Sequence, residues 1–167
     1  SPDGEAIRLV AVNDTPDAVS VDVVMKSVSL NGDARELARA SVTAPTDKAV
    51  DAAWLSARDI GKDNLLVFEF TASDGSAGRG HHALTPYKRM ALSDPELSVT
   101  KTIKDGVLTV TLEAKTLALF VSLETNEPGR FDAGGFELLA GEIRTLRFIP
   151  DTHADLEKAA ATFIVRQ

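Results

Sequence analysis

The residues best placed to do chemistry lie in one segment, "FVSLETNEPGRFDAGGFELLAGEIRTLRF", at positions 120–148. Glu124 and Glu127 flank the loop that follows a predicted strand, and Asp132 comes shortly after them. Two carboxyl groups about 5–9 Å apart can hydrolyse a glycosidic bond, one as the acid and the other as nucleophile or base. Acidic side chains are mostly exposed, however. We therefore expect a solvated loop between strands and predict no catalytic residue.

The same segment is also typical of a corner between two β-strands. Four glycines between positions 129 and 141 surround Phe131 and Phe136. Glycine permits the positive φ angles that tight corners need, and the phenylalanine side chains would fill a core. We therefore predict a strand, a turn and a second strand here, with the next strand starting at Gly141–Glu142.

Metal and cofactor motifs are absent from the sequence. His81 and His82 are adjacent, so on a strand they point to opposite faces and cannot easily share one metal. Neither they nor His153 belongs to an HExxH or Cys/His pattern. The glycines of "GSAGRG" match no dinucleotide-binding or Walker motif, and no G-x-S-x-G sequence offers a serine nucleophile. One group near the N-terminus could catch a stray cation: Asn13, Asp14 and Asp17. We predict no metal and no cofactor.

Aromatic residues are few, and they bear on sugar binding. Trp54 is the only tryptophan and Tyr87 the only tyrosine, and aromatics make up 5% of the chain. Sugar-binding sandwiches need exposed aromatic rings on which a pyranose can stack. Because Trp54 lies beside Leu55 in "AAWLSA", we favour a core or interface position for it over a sugar platform. The sugar-platform alternative stays open.

Composition excludes several classes of function. The net charge is −7, which opposes binding to the phosphates of nucleic acid. No apolar run approaches the roughly 20 residues that cross a bilayer, and the chain has no cysteine for disulfides or thiolate chemistry. We expect a soluble protein of the cytoplasm or the bacterial periplasm. The opening "SPDGEAIRLV" lacks an initiating Met and a signal-peptide pattern, so we expect a piece of a longer protein.

Alternating apolar residues predict strands almost throughout. Between Val19 and Met25 the apolar side chains fall on odd positions, and at Val28 the phase reverses, so we expect a bulge near Lys26–Ser27. We predict a strand and a turn in "KAVDAAWLSARDI", and three residues of the next strand share a face: Leu66, Phe68 and Phe70. The loop "SDGSAGRG", positions 73–80, is expected to be mobile.

Two hairpins and one helix complete the prediction. Asn31–Asp33 and Asp105–Gly106 are hairpin turns, the second a two-residue type I′ turn. A helix is predicted in "DTHADLEKAAAT", capped by Asp151 or Thr152, with a last strand in "FIVRQ". Roughly six strands before position 92 and six after it predict an all-β fold of two tandem immunoglobulin-like β-sandwich domains, 1–91 and 92–167.

The order of these segments resembles the C-terminal part of β-mannosidases of glycoside hydrolase family 2. "GRFDAGGFELLAGEIRTLRF" resembles the closing β-sandwich of those enzymes, although Ala140 stands where the family usually has Pro. "RLVAVNDTPDAVSVDVVMKSVSLNGDARELARASVTAP" is similar to the immunoglobulin-like domain that follows their catalytic barrel. "ALTPYKRMALSDPELSV" resembles the link between the two domains, and "DLEKAAATFIVRQ" their final helix and strand.

The resemblance implies a parent enzyme that is a retaining exo-glycosidase with two catalytic glutamates on a TIM barrel. A barrel needs about 250 residues, whereas this chain has 167 and no alternation of strands and helices. No catalytic glutamate of the family can therefore be placed on Glu124, Glu127 or Glu142. We therefore predict a non-catalytic accessory module whose partner is the catalytic barrel of its parent chain, with weak binding of mannosides possible. Two alternatives remain open, a carbohydrate-binding module and a freestanding interaction domain.

Overall fold

The fold is all-β, as predicted, in a computed structural model that describes residues 6–167. The chain divides into two compact units, the first ending at Ala91 and the second covering Leu92–Gln167. Within the described range, strands dominate, and the only helices are two short α-helices and one 3₁₀ turn. None of these helices is long and apolar enough to cross a bilayer.

The described part of the first unit contains six strands in two antiparallel sheets. The strands are β1 (Ala6–Asn13), β2 (Val19–Val28), β3 (Ala34–Ala44), β4 (Lys48–Ser56), β5 (Leu65–Ala72) and β6 (Ala77–Ala83). Strand β1 pairs with β4, and the other sheet has the order β3-β2-β5-β6. Helix α1 (Ala57–Ile60) follows β4, and a 3₁₀ turn (Tyr87–Arg89) follows β6. The core of this unit contains side chains from both sheets: Val23, Met25, Leu55, Ile60 and Leu66, with Leu9, Phe68 and Phe70 packed against them.

The bulge predicted in β2 exists in the pairing of β2 with β3, but its extra residue lies on β3. Met25 faces Ala38 and Lys26 faces Glu36, so Leu37 is the unpaired residue. Strand β2 therefore keeps its alternation, and position 27 points inward. Ser27 is therefore buried, and its hydroxyl donates a 2.6 Å hydrogen bond to the carbonyl oxygen of Ile60, which offsets the cost of burying a polar group.

Two predictions for the first unit were correct only in part. The short strand and turn predicted in one segment are the nine-residue strand β4 and, in place of the turn, helix α1, because the hydroxyl of Ser56 caps the helix by accepting from the N–H of Arg58. The expected mobile loop at 73–80 is confined to 73–76, since β6 begins at Ala77. Glycine suits this strand because the ring of Phe70 covers Gly78, where a Cβ atom would lie 2.7 Å from the ring.

The second unit has seven strands rather than the six predicted, because the corner segment contributes two very short ones. The elements are β7 (Ser98–Lys104), β8 (Val107–Glu113), β9 (Ala118–Glu124), β10 (Gly129–Phe131), β11 (Phe136–Leu138), β12 (Ile143–Pro150), α2 (Leu156–Thr162) and β13 (Ile164–Arg166). The strands form two antiparallel sheets, with orders β10-β12-β8-β7 and β11-β9-β13. The core between the sheets includes Leu108, Val110, Leu112, Val121, Leu138, Leu146 and Phe148.

Local signals in this unit were interpreted correctly except at the helix cap. Asp105 and Gly106 have φ angles of +51° and +74°, so the predicted I′ geometry is confirmed. Helix α2 begins at Leu156, and the carboxylate of Asp155 accepts from the N–H groups of Glu157 and Lys158. The cap is therefore Asp155 and not Asp151 or Thr152.

The segment at 120–148 forms the sheet corner that the sequence predicts. Phe131 and Phe136 are buried in the core of the second unit. Their rings enter that core from β10 and β11, whose connection turns at Gly135, with φ +70°. Gly129 has φ +141°, a conformation that is essentially restricted to glycine.

Candidate functional site

Glu127 is a buried carboxylate of the corner segment with two partners. Its side chain is only 7% exposed. One oxygen, Oε2, accepts a 2.9 Å hydrogen bond from the N–H of Asp155, and the other, Oε1, lies 2.8 Å from the ammonium of Lys158. The hydrogen bond from Lys158, together with that from the Asp155 N–H, holds the pKa of Glu127 below its usual range. The expectation of a solvated residue is therefore wrong for Glu127, which ties its loop to the start of helix α2.

The other acidic residues of this segment also have structural partners. Glu124 pairs with Arg166 across β9 and β13 at 2.7 Å. One carboxylate oxygen of Asp132 accepts from the N–H of Arg147 at 3.0 Å, and Glu142 accepts from the N–H of Leu139 at 2.9 Å in the turn before β12. These contacts stabilise strand pairing and turns.

The histidines of the first unit lie on a strand and form no metal site. His81 and His82 lie next to each other on β6, opposite Val67 and Leu66, and therefore point to opposite faces as predicted. The ring of His81 makes an edge contact with Tyr87 at 5.9 Å between centroids. Over residues 6–167, no three His, Asp or Glu side chains gather in a way that could hold a metal ion.

Asn13, which we considered for a stray cation, is a buried structural residue. Its amide nitrogen donates to the carbonyl oxygens of Asp17 and Ala44 at 2.8 and 3.0 Å. Its side-chain oxygen accepts from the N–H of Thr15 at 2.9 Å. These bonds organise the turn between β1 and β2 and use the amide atoms that a cation would need.

Trp54 is exposed on a sheet, so the core position considered for it is wrong. The indole is 62% exposed on the outer face of the β1–β4 pair, directly opposite Arg8. The guanidinium of Arg8 lies 5.7 Å from the ring centroid and forms a 2.6 Å ion pair with Asp51, whose other oxygen is 3.3 Å from the indole nitrogen. The interface and sugar-platform interpretations both remain consistent with this position.

The sequence did contain a signal for this outcome. Neighbouring residues of a strand point to opposite faces, so only one of Trp54 and Leu55 can enter the core. Leu55 does so, at 9% exposure. A second large apolar residue shares the outer face of the β1–β4 pair, because Val12 is 65% exposed there. We call this surface, formed by Arg8, Val10, Val12, Asp51 and Trp54, the outer face of the β1–β4 sheet.

A cluster of charges that the sequence did not reveal lies on the first unit's four-stranded sheet. Glu69 accepts from Lys26 at 2.6 Å and from Arg79 at 2.7 Å, across three neighbouring strands. All three side chains are partly buried, and the hydrogen bonds from Lys26 and then Arg79 lower the pKa of Glu69. The bridging carboxylate links β2, β5 and β6, which is a structural role.

The first unit contains a groove beside strand β1. It has a volume of about 320 Å³ and lies between β1 and the face of the four-stranded sheet. Its walls are mostly apolar, and Asp14, Asp74 and Ser76 stand at one end. A smaller depression of about 290 Å³ in the second unit is bordered by Glu124, Thr125 and Arg130.

Comparison with known proteins supports the fold of both units. Residues 92–167 match the family model Ig_mannosidase, an Ig-fold domain. The Amycolatopsis orientalis exo-chitosanase CsxA is similar at 17% identity and a TM-score of 0.58, over 95% of this chain and 24% of that one. The complex of CsxA with PNP-β-D-glucosamine gives 21% identity and a TM-score of 0.56, over 84% and 22%. No curated protein matches the chain.

The chain thus spans about a quarter of the length of the solved structures that it matches. At these identities, the likeness to the solved structures shows the fold. The family match over the second unit confirms the resemblance noted in the sequence. Residues 92–167 of this chain therefore form an immunoglobulin-like domain of the type that the Ig_mannosidase model describes.

Proposed function

We propose that this chain is a non-catalytic accessory module of a family 2 glycoside hydrolase, which packs on the catalytic barrel of its parent and supports it. The observation that carries the proposal is that the candidate carboxylates bind partners within the module. Glu124, Glu127 and Asp132 are each engaged by a cation or a backbone N–H that stabilises the module itself. A catalytic pair needs one carboxyl group free to donate a proton and another free to attack or activate water.

The outer face of the β1–β4 sheet is the surface that we propose for packing on the barrel. Trp54 and Val12 are both more than 60% exposed on this small sheet. Large exposed apolar groups beside polar ones mark interaction sites, and tryptophan and arginine are the residues that most often dominate the binding energy of interfaces. The Arg8–Asp51 ion pair beside the indole would lie at the rim of such a contact.

The same surface favours a second candidate function, carbohydrate binding. An exposed indole flanked by a carboxylate and a guanidinium has the elements of a sugar platform, a flat apolar face with hydrogen-bonding groups at its edge. The resemblance suggests β-mannosides as ligands, whereas one of the similar CsxA structures is a complex with PNP-β-D-glucosamine. We propose that the parent acts on a terminal β-linked sugar of one of these two kinds.

Three measurements on the purified chain test these proposals. Incubation with p-nitrophenyl β-mannoside and p-nitrophenyl β-glucosaminide should release no nitrophenol, and saturable release would refute the non-catalytic role. Titration with mannose, β-1,4-mannobiose and glucosamine to about 10 mM should leave the NMR spectrum unchanged. Saturable shifts of Arg8, Val10 and Val12 on the outer face of the β1–β4 sheet that disappear in Trp54→Ala would establish a carbohydrate-binding module instead.

Packing on the barrel requires a separate experiment with the rest of the parent enzyme. The chain should co-purify with the co-expressed catalytic barrel, and Trp54→Ala should weaken that association. The matched control is Ile143→Ala, which removes an equally exposed apolar side chain from the second unit. Equal behaviour of the two variants would show that the outer face of the β1–β4 sheet does not contact the barrel.

A further inference from the structure

The hairpin turn between β2 and β3 contains the only Asn-Gly dipeptide of the chain, Asn31–Gly32. In such a dipeptide the backbone nitrogen of the glycine can attack the side-chain carbonyl carbon of the asparagine, because the glycine has no Cβ atom to obstruct the approach. The reaction needs an accessible asparagine side chain and a backbone that can change its conformation. The geometry of the turn decides whether both conditions are met.

The side chain of Asn31 is accessible. The residue is exposed in the middle of the loop 30–32, and within residues 6–167 its side-chain amide has no hydrogen-bond partner. Gly32 follows it with φ +92°, a left-handed conformation that glycine adopts without steric cost. The amide of Asn31 can therefore rotate toward the backbone without breaking a hydrogen bond to the described part of the chain.

Three hydrogen bonds hold the turn in one conformation. The N–H of Gly32 donates to the carbonyl oxygen of Ser29 at 2.9 Å, and the N–H of Ser29 donates to the carbonyl oxygen of Asp33 at 2.9 Å. The N–H of Asp33 donates to the hydroxyl of Ser29 at 3.1 Å. The attacking nitrogen is therefore occupied in the closed turn and is released when the turn opens. Openings of this kind at exposed loops cost little free energy.

The other three asparagines of the chain lack this combination. Asn13 is buried, and its amide atoms are hydrogen-bonded in the turn between β1 and β2. Asn64 is followed by Leu65, the first residue of β5, whose side chain obstructs the attack. Asn126 is exposed, but it is followed by Glu127, whose buried side chain and hydrogen-bonded N–H hold the backbone in place. Accessibility and a following glycine therefore coincide at Asn31.

We propose that Asn31 is a site of spontaneous deamidation, at a rate that the hydrogen bonds of the turn control. The backbone nitrogen of Gly32 loses its proton to hydroxide and bonds to Cγ of Asn31, and the side-chain nitrogen leaves as ammonia. Water then opens the resulting succinimide at one of its two carbonyl carbons, which gives either aspartate or isoaspartate. The amide nitrogen is thus exchanged for an oxygen of water, with no oxidant or cofactor. The modification does not depend on the proposed accessory function.

Isoaspartate would change the hairpin in two ways. It adds one carbon atom to the main chain of the turn, so the three hydrogen bonds that close the turn cannot all be kept. It also places a new negative charge two residues from Asp33. Both effects lie beside the last pair of the β2–β3 ladder, Val28 with Ala34. The modification should therefore loosen this end of the hairpin.

Incubation of the purified chain at mildly alkaline pH, followed by tryptic digestion and mass spectrometry, tests the proposal. Trypsin releases Asn31 in peptide 27–35 and Asn126 in peptide 116–130, so the two exposed asparagines are followed separately. Peptide 27–35 should gain the mass of deamidation and split into two chromatographic species, one of which a protein isoaspartyl methyltransferase should methylate. Digests of chain that was not incubated give the baseline. A peptide 27–35 that changes no faster than peptide 116–130 would overturn the proposal.

Two variants separate the turn from the dipeptide. Asn31→Gln should abolish the reaction, because the longer side chain closes a larger ring far more slowly. Ser29→Ala keeps the dipeptide but removes the hydroxyl that accepts from the N–H of Asp33, so the turn opens more often and deamidation should be about two- to tenfold faster. The free peptide 27–35 should react faster still. A folded chain that reacts as fast as this peptide, or a Ser29→Ala rate that is not raised, would overturn the control by the turn.

Discussion

The conformation of Gly129 predicts a large loss of stability from a very small substitution, Gly129→Ala. The residue starts β10 with φ +141°, which L-amino acids scarcely adopt. A Cβ atom at this position would lie 2.6 Å from the carbonyl oxygen of Ile149 and 2.6 Å from Cζ of Phe148. Neither neighbour can yield easily, since the first is backbone paired in β12 and the second is a ring that is 1% exposed.

The expected cost combines two independent penalties. Backbone strain in such a region costs about 1–3 kcal/mol. Forcing an extra carbon into a packed core costs about another 1–3 kcal/mol, so Gly129→Ala should lower the free energy of unfolding by about 2–6 kcal/mol. A domain of this size has a total stability of only about 4–11 kcal/mol. The substitution should therefore remove a large part of the stability of the second unit.

Gly135→Ala is the matched control within the same corner. Gly135 has φ +70°, but a Cβ there meets no atom within 4 Å. Only the cost of the left-handed conformation remains, about 1–2 kcal/mol. The two variants share the chemical change and the corner segment, and they differ in whether the added carbon collides with the core.

The assay is urea unfolding followed by the amide signals of β8, which lies in the second unit. With a urea dependence of about 2 kcal/mol per molar, Gly129→Ala should shift the midpoint by about 1–3 M and Gly135→Ala by clearly less. Trp54, the only tryptophan, lies in the first unit, so its fluorescence follows that unit separately. A Gly129→Ala midpoint equal to or above that of Gly135→Ala would refute the reasoning.

Three further substitutions test individual contacts. Glu69→Gln breaks two ion pairs, to Lys26 and to Arg79, and should cost about 1 kcal/mol at pH 7. Because the pKa of Glu69 is lowered in the folded state, that stabilisation is present above about pH 4.3 and is lost as the pH falls further. The thermal midpoints of Glu69→Gln and of the unsubstituted chain should therefore converge in acid. Glu127→Gln weakens the tie to the start of helix α2, and faster amide exchange in that helix than in β8 would be the readout; unchanged exchange would contradict the tie. Trp54→Ala should change the stability by less than about 0.5 kcal/mol, since the indole is 62% exposed, and a larger loss in urea unfolding would show that the ring supports the fold.

Much of the fold could be predicted because its signals are local. The Asp105–Gly106 turn needs positive φ at two adjacent positions, and this dipeptide tolerates it at low cost. The alternation on β8 places Leu108, Val110 and Leu112 in the core, and all three are fully buried. In each case the residue type and its immediate neighbours contain the physical reason.

The errors fall where a distant residue decides the outcome. Asp155 and not Asp151 caps helix α2, and the N–H of Asp155 donates to Glu127, which is 28 positions away. The glycines before His81 indicated a mobile loop, yet the rings of Phe68 and Phe70 cover them from the neighbouring strand. A cap or a glycine strand that depends on such partners has no local signature.

The sequence by itself determined that this chain is a series of β-strands, where its hairpins turn and which family its second half resembles, because period-two alternation and turn geometry act over a few residues. Only the tertiary structure decided which side of β4 Trp54 occupies, which carboxylates are tied to cations and backbone N–H groups, and that β1 lies beside an open groove. These properties arise from strand pairing between residues tens of positions apart, where one register places a side chain in the core and the next places it in solvent.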